Sequence, residues 1–387
     1  MTITSEKTMK ADLWARSGAW NGLLTAVGVL ALTRIGQLMM ISWLGGATTA
    51  PRSVWERLLI WDAGWFLRVA MDGYPDGYTY DGQGKLEGNE LAFFPVYPML
   101  IRAGAAIGMD PSVAAVGVAW TASIAAAVAL HLLGTALYDR RAGWALVAVC
   151  CSAPASVVLS MAYSESLFIA LVAGMFVAAH QRVWWAAGLL GLAAALTRPT
   201  GAAAALGLAV AAALAMRDSR EQRWKPLAAA AAALAGVPLY LGWVAYRVGD
   251  LSAWFKIQTA GWGTSFDYGS STGKFLWTTL RGGDGWIPVS VALILLVALA
   301  AAGVALAQKP WLPLAVYGVV AMVLVYGQAG FYHSKPRLLL PVLLTLLPAV
   351  AAAARARPRV AILSIAAWAL FGLWYGAYLV TVWPFTL

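Results

Sequence analysis

Charge is what this sequence has least of. Only 11% of its residues are Asp, Glu, Lys or Arg, whereas soluble domains carry roughly a quarter. Hydrophobic residues make up 61%, which leaves nothing to cover the surface of a water-soluble catalytic or binding domain. Any chemistry is therefore expected in or beside a membrane. Cysteine is nearly absent too. Cys150 and Cys151 are adjacent within an apolar block, which excludes a disulfide framework or a thiolate metal site and predicts two inert core residues. A cleavable leader is not expected. Met1–Arg16 is polar and mixed in charge, and the apolar block after it is too long for a signal h-region and lacks a small-residue cleavage site. No internal repeat is visible.

What is abundant is apolar sequence in blocks of about 17 to 25 residues, the length that crosses a bilayer core. Eleven spans are predicted, at approximately Asn21–Leu44, Ser112–Leu137, Trp144–Ser160, Ser164–His180, Val183–Thr197, Gly201–Met216, Pro226–Val248, Ile287–Leu306, Trp311–Gly330, Leu338–Ala354 and Val360–Val380. The expected fold class is an all-α polytopic membrane protein, with residues 1–387 forming a single integral membrane domain. With the N-terminus cytoplasmic, the inner segments hold 14 Lys/Arg and 5 acids, a difference of +9. One further arginine, Arg34, lies inside the first span. The remaining 12 basic and 12 acidic residues fall on the outer side and cancel. This asymmetry follows the positive-inside rule. It accounts for the net charge of +10 without nucleic acid as a partner.

Two outer segments are long, residues 45–110 and 249–286, and both are rich in aromatics, as expected near a membrane interface. In the first, Val54–Met71 is predicted as an amphipathic interfacial helix. Trp55, Leu58, Leu59, Trp65, Phe66 and Val69 form its apolar stripe, while Glu56, Arg57, Gly64 and Arg68 lie off it. Asp62 falls in the middle of the stripe. A carboxylate there is costly unless it is paired, wet or working; the plain structural reading is that it caps or breaks the helix. Asp76 to Glu87 matches the ends of an EF-hand loop. Tyr78 and Tyr80 occupy ligand positions, however, and Asp81 replaces the required glycine, so no metal is expected. In the run from Asn89 to Pro98, Pro95 and Pro98 are expected to prevent a regular helix. Glu90 either faces a cavity or simply faces water.

Three further polar groups lie near the outer edge of the predicted spans. Glu165 starts the fourth span, where the helix dipole favours a carboxylate. Arg198 lies in a Pro-Gly turn that does not itself need an arginine. His333, Lys335 and Arg337 form a basic cluster on the outer side, against the positive-inside trend. Snorkelling is the ordinary role for each cation. Taken together with Arg198, the cluster fits an anion site, and a lipid-linked phosphate is the natural anion at that depth.

Trp61-Asp62 with Phe66 and Ala70, Gly73-Tyr74, and Ala92-Phe93-Phe94-Pro95-Val96-Tyr97-Pro98 resemble motifs of the PIG-V family of mannosyltransferases. Tyr163-Ser164-Glu165-Ser166-Leu167-Phe168, Arg198-Pro199-Thr200-Gly201 and Pro336-Arg337-Leu338-Leu339-Leu340-Pro341 match later motifs in the same order. The resemblance runs from about Trp61 to Pro341. It implies a GT-C glycosyltransferase architecture. It also implies mannose transfer from a polyprenyl-phosphate-mannose donor to a glycolipid or glycan acceptor on the extracytoplasmic face. By the same resemblance Asp62 is the base and Trp61 lines the site.

The mechanism expected from these residues is a single inverting displacement. Arg198 and Arg337, with His333 or Lys335, steady the phosphate leaving group, and Glu90 and Glu165 contribute to substrate binding. No cofactor or metal is expected. An Ala- and Gly-rich composition points to a bacterial plasma membrane, or to the endoplasmic reticulum if the source is eukaryotic. The alternative function is a transporter or flippase for a lipid-linked substrate. Transporters often place ionisable or broken-helix sites near the membrane midplane within repeated halves, whereas most charges here sit at outer ends and in outer loops.

Overall fold

A computed structural model describes residues 3–48, 52–218, 223–283 and 285–385, with side chains from Asn21 onward except that of Asp218. The predicted cytoplasmic charges before Asn21, and Arg220 and Glu221, fall outside the described side chains. Among the described residues the chain is helical apart from turns and one short hairpin, Thr79–Tyr80 paired antiparallel with Leu86–Glu87.

Five helices are long and apolar enough to cross a membrane: Asn21–Gly46, Pro111–Leu137, Trp224–Val248, Trp286–Ala307 and Pro358–Thr381. Shorter apolar helices occupy Glu165–His180, Trp184–Ala195, Gly201–Arg217 and Leu312–Gly327. They form one bundle. Trp224–Val248 packs on the two helices before it, Pro111–Leu137 packs on Glu165–His180, and the first long helix packs on the last. Alanine and glycine at the contacts let these backbones approach closely.

Two expected spans are not continuous helices. In place of Trp144–Ser160, a helix over Arg140–Cys151 stops and a single 3₁₀ turn follows at Ser156–Leu159. Pro154 lies in the gap, and a proline there cannot donate the helical hydrogen bond. Arg34, buried within the first helix, serves this break. Its guanidinium donates to the carbonyl oxygens of Cys151 and of Ser156, the latter at 2.6 Å, and to Ser160 Oγ at 3.0 Å. In place of Leu338–Ala354, the chain bends by 79° between Tyr332–Leu339 and Leu343–Arg355. Pro341 sits at the bend, and its carbonyl accepts from Tyr317 Oη at 2.7 Å and from the Leu343 N–H at 2.9 Å.

The first outer segment also departs from expectation. The predicted helix over Val54–Met71 is two helices, Val54–Leu58 and Asp62–Asp72. The break falls at Trp61, whose φ of 59° and ψ of −113° are not helical. Arg57, placed off the apolar stripe, is buried and donates to Val380 O at 2.7 Å, while Trp55, placed on the stripe, is exposed. Pro95 and Pro98 do not prevent a helix. One runs from Val96 to Ala106 with Pro95 as its cap, because a proline in the first turn gives up only an N–H that has no helical partner.

Candidate active site

Asp62 opens the second outer helix, and the strained residue before it sets its direction. A bulky residue with positive φ is held there only if its surroundings over-determine it. Tyr163, fully buried, supplies part of that constraint. Its hydroxyl accepts from the Asp62 backbone N–H at 3.3 Å and donates to Ile60 O at 3.5 Å, so one phenol spans the strained residue.

The remaining charges arrive from three separate places. Glu165 is the first residue of the Glu165–His180 helix and is 0% exposed. Arg198 lies in the turn before the helix that begins at Gly201. That turn is closed so tightly that a Cβ on Gly201 would sit 2.4 Å from Ala195 Cα. Arg337 lies in the short Lys335–Leu339 helix just before the bend at Pro341.

These residues form one chain of ion pairs. Arg337 Nη1 donates to Asp62 Oδ2 at 2.6 Å, and its Nε lies 3.3 Å from Glu165 Oε1. Arg198 Nη1 lies 2.8 Å from the same Glu165 oxygen and donates to Ser164 Oγ at 2.9 Å. The Arg337 guanidinium also sits over the Tyr163 ring, 5.1 Å from its centroid. Two carboxylates and two guanidiniums therefore balance. Glu165 is enclosed between both cations at a helix N-terminus. Asp62 is the more open carboxylate, at 20% side-chain exposure.

Two cavities meet at the Asp62–Arg337 pair. The first, about 180 Å³, is lined by Ser164, Arg198, Lys335 and Phe93 among others; the second, about 540 Å³, by Trp61, Trp65, Lys85 and Glu87. Trp262, Phe331 and Ser334 border both. Lys335 reaches the first cavity while its Nζ donates to Val325 O and Gln328 O, each at 2.7 Å. An ammonium has three donors, so one is left over.

Two of the predicted site residues lie elsewhere. Glu90 pairs with Arg68 at 2.7 Å and borders neither cavity. His333 is buried, with its ring stacked on Phe331, and also borders neither cavity. Tyr163, Trp65 and Trp262 were not among the predicted site residues. Tyr163 opens the Tyr163-Ser164-Glu165 motif, and Trp262 belongs to the aromatic-rich second outer segment, so each carried a signal. Their convergence depends on contacts between distant segments.

Fold and site together define a predominantly helical membrane protein with a charged cleft at one end of its bundle. The family model described as Mannosyltransferase (PIG-V) matches residues 46–216, which include Trp61, Asp62, Glu165 and Arg198. A GPI mannosyltransferase 2 of Drosophila pseudoobscura pseudoobscura is 31% identical over 119 residues, 28% of this chain and 24% of that protein. The matched region thus spans about a quarter of that relative's length. Among solved structures, the oligosaccharyltransferase AglB of Archaeoglobus fulgidus, in complex with an inhibitory peptide and a dolichol-phosphate, is similar with a TM-score of 0.47 and 12% identity. Its apo form gives 0.47 and 14%. In both cases 92% of this chain aligns with 56% of the other.

Proposed function

We propose that this protein is an integral membrane glycosyltransferase. It moves a mannosyl residue from a polyprenyl-phosphate-mannose donor to a lipid-linked or glycan acceptor, on the face expected to be extracytoplasmic. One observation carries the reading: Asp62, a partly exposed carboxylate paired with Arg337, stands where a cavity bordered by Arg198, Lys335 and Arg337 meets a cavity bordered by Trp61, Trp65, Asp81 and Glu87. The family match over residues 46–216 supports the choice of sugar.

In this reading Asp62 accepts the proton of an acceptor hydroxyl as that oxygen attacks the anomeric carbon. The bond from that carbon to the phosphate oxygen breaks with its electron pair going to the phosphate, and the anomeric centre inverts. The leaving phosphate gains charge as the bond breaks. Arg198 and Arg337 are the groups placed to meet it, with the spare donor of Lys335 at the cavity edge. Guanidiniums suit phosphate because they bond through two parallel N–H groups. A monophosphate leaving group held this way does not require a divalent metal. General-base assistance accounts for roughly 10²–10⁴-fold in rate. The remainder falls to orientation and charge stabilisation.

The test is a transfer assay with purified protein and radiolabelled polyprenyl-phosphate sugars, resolved by lipid chromatography. Transfer from the mannose donor that is absent in the Asp62→Asn variant is the expected result. Turnover by that variant at the wild-type rate removes Asp62 from the role of base.

A further inference from the structure

The two cavities that meet at Asp62 and Arg337 differ in charge. Three cations, Arg198, Lys335 and Arg337, and one carboxylate, Asp62, border the first. Two cations, Lys85 and Arg337, and three carboxylates, Asp62, Asp81 and Glu87, border the second. An anionic phosphate is therefore drawn to the first cavity and not to the second. Aromatic rings border both cavities, so the difference lies in the charges beside them. Trp61, Trp65 and Trp262 face the second cavity, and Trp65 and Trp262 meet edge to face at 5.3 Å. Trp65 is fixed by Phe93, stacked at 5.7 Å, and by the Arg68 guanidinium, 3.9 Å from its ring centroid.

Indole faces flanked by carboxylates and an ammonium suit a pyranose ring. The ring's C–H face is apolar and lies against an aromatic surface, while its hydroxyls both donate to carboxylates and accept from ammonium. A lipid chain would be poorly served by such polar walls. An anionic ligand would meet excess negative charge.

The opposite wall is built to stay close. The hairpin of residues 79–87 leads to Gly88, which lies against Gly261 at the end of the Ala253–Trp262 helix. A Cβ on Gly88 would stand 2.5 Å from Gly261 Cα and 2.8 Å from the Trp262 ring, and one on Gly261 would stand 2.7 Å from Gly88 Cα. The two outer segments thus touch backbone to backbone, and the hairpin is set against the Trp262 ring.

We propose that the second cavity is a saccharide subsite. It holds the hydroxyl-rich head of the acceptor against Trp65 and Trp262, with Lys85 and Glu87 at its rim and one hydroxyl directed to Asp62. This assignment rests on the transferase reading for its place in the reaction, though not for its chemistry. The sugar itself is the recognised element, whether it is borne on a lipid or on a soluble glycan.

Saturation-transfer-difference NMR on the full chain in nanodiscs tests it with methyl and octyl glycosides of mannose, glucose and glucosamine. Polyprenyl phosphate binding is measured in parallel. Saturable binding of at least one methyl glycoside is expected, with transfer to its ring protons. The Trp65→Phe variant keeps an aromatic ring beside Phe93 and weakens that binding at least fivefold. The Lys85→Gln/Glu87→Gln double variant, altered only on the exposed hairpin, does the same. Gly88→Ala, which displaces the hairpin from Trp262, weakens it further. Polyprenyl phosphate affinity changes less than twofold in the hairpin double variant. A matching gain for octyl glycosides identifies a lipid-borne acceptor, and equal affinity for methyl and octyl forms a soluble glycan; both support the subsite. Failure of every glycoside to bind, or binding that survives all three variants, overturns it. If polyprenyl phosphate still binds and transfer persists in that case, the transferase reading stands and only the subsite falls. If polyprenyl phosphate does not bind either, the transferase reading fails separately.

Discussion

Arg337 Nη1 donates to Asp62 Oδ2 at 2.6 Å across 275 positions of sequence. This pair joins the first outer segment to the bent helix pair near the other end of the chain. It also places the one open carboxylate of the cluster in contact with a cation that an incoming phosphate would compete for. Replacing Asp62 by Asn keeps an oxygen for Arg337 to bond and removes only the basicity. Transfer is expected to fall by roughly 10²–10⁴-fold while the melting temperature in detergent stays close to that of the parent protein. Steady-state kinetics and a thermal melt of the same preparation check both halves.

Lysine cannot substitute for Arg337. The guanidinium reaches Asp62 through Nη1 and Glu165 through Nε, and a single ammonium cannot hold that fork. Arg337→Lys is expected to keep the fold but lose at least tenfold in polyprenyl phosphate affinity, measured by competition with a labelled polyprenyl phosphate. An affinity equal to that of the parent protein would count against the phosphate role.

Glu165 is the structural centre of the cluster. Its side chain is 0% exposed and lies within 3.3 Å of both arginines. Removing one partner of a buried ion pair typically costs about 3–5 kcal/mol because the other charge is left uncompensated. Glu165→Gln is therefore expected to lower stability on that scale as well as activity, whereas Asp62→Asn lowers activity alone. Denaturant melts of the two variants side by side separate the roles.

Trp61 adopts a backbone conformation that only glycine takes readily. Comparing Trp61→Gly with Trp61→Ala removes the indole in both cases and leaves the backbone strain in one. The glycine variant is expected to be the more stable by about 1–3 kcal/mol, read as a difference in unfolding midpoints. Equal stabilities would mean that the turn relaxes once the ring is gone.

Asp250 anchors the second outer segment. Its carboxylate accepts from Lys256 Nζ and Tyr78 Oη, each at 2.6 Å, and from Ser252. These bonds, that of Lys256 first, hold it below the ordinary carboxylate range. A group depressed on folding stabilises the folded form above its unfolded value, near 4, and that contribution is lost as the pH falls through the folded value. The link between Tyr78 and the Ala253–Trp262 helix is thus expected to hold at neutral pH and to loosen below about pH 4. Amide exchange of residues 250–262 measured at pH 3 and pH 6, after correction for intrinsic rates, checks this. Asp250→Asn is expected to show the loosened pattern at both.

Much of the architecture was legible in the chain. Nine of the eleven predicted spans fall on helices whose bounds lie within a few residues of expectation, except that the first helix begins earlier, at Ile3; five of these nine are long enough to cross a membrane. Scarce charge and long apolar blocks leave a chain little else to do in a bilayer, where every backbone polar group must find an internal partner. The two failures have a common cause. Pro154 and Pro341 interrupt blocks that hydropathy alone counts as continuous, and carbonyls at the two breaks are met by Arg34 and Tyr317, residues remote in sequence. Arg34, a lone charge within an apolar span, is accounted for by the break it serves.

The site divides along the same line. Asp62, Glu165, Arg198 and Arg337 were each conspicuous as charges poorly suited to apolar surroundings, and motif order linked them. Sequence alone thus determined that this is an apolar, helical membrane protein with a small set of polar residues gathered toward one side, because transfer free energies act on each residue wherever it sits. Only the tertiary structure decided that Arg337 bridges Asp62 and Glu165, that Glu90 turns away to Arg68, and that three tryptophans from two outer segments share one cavity. Pairing depends on distances of about 3 Å between groups up to hundreds of residues apart, and those distances are set by the packing of the whole bundle.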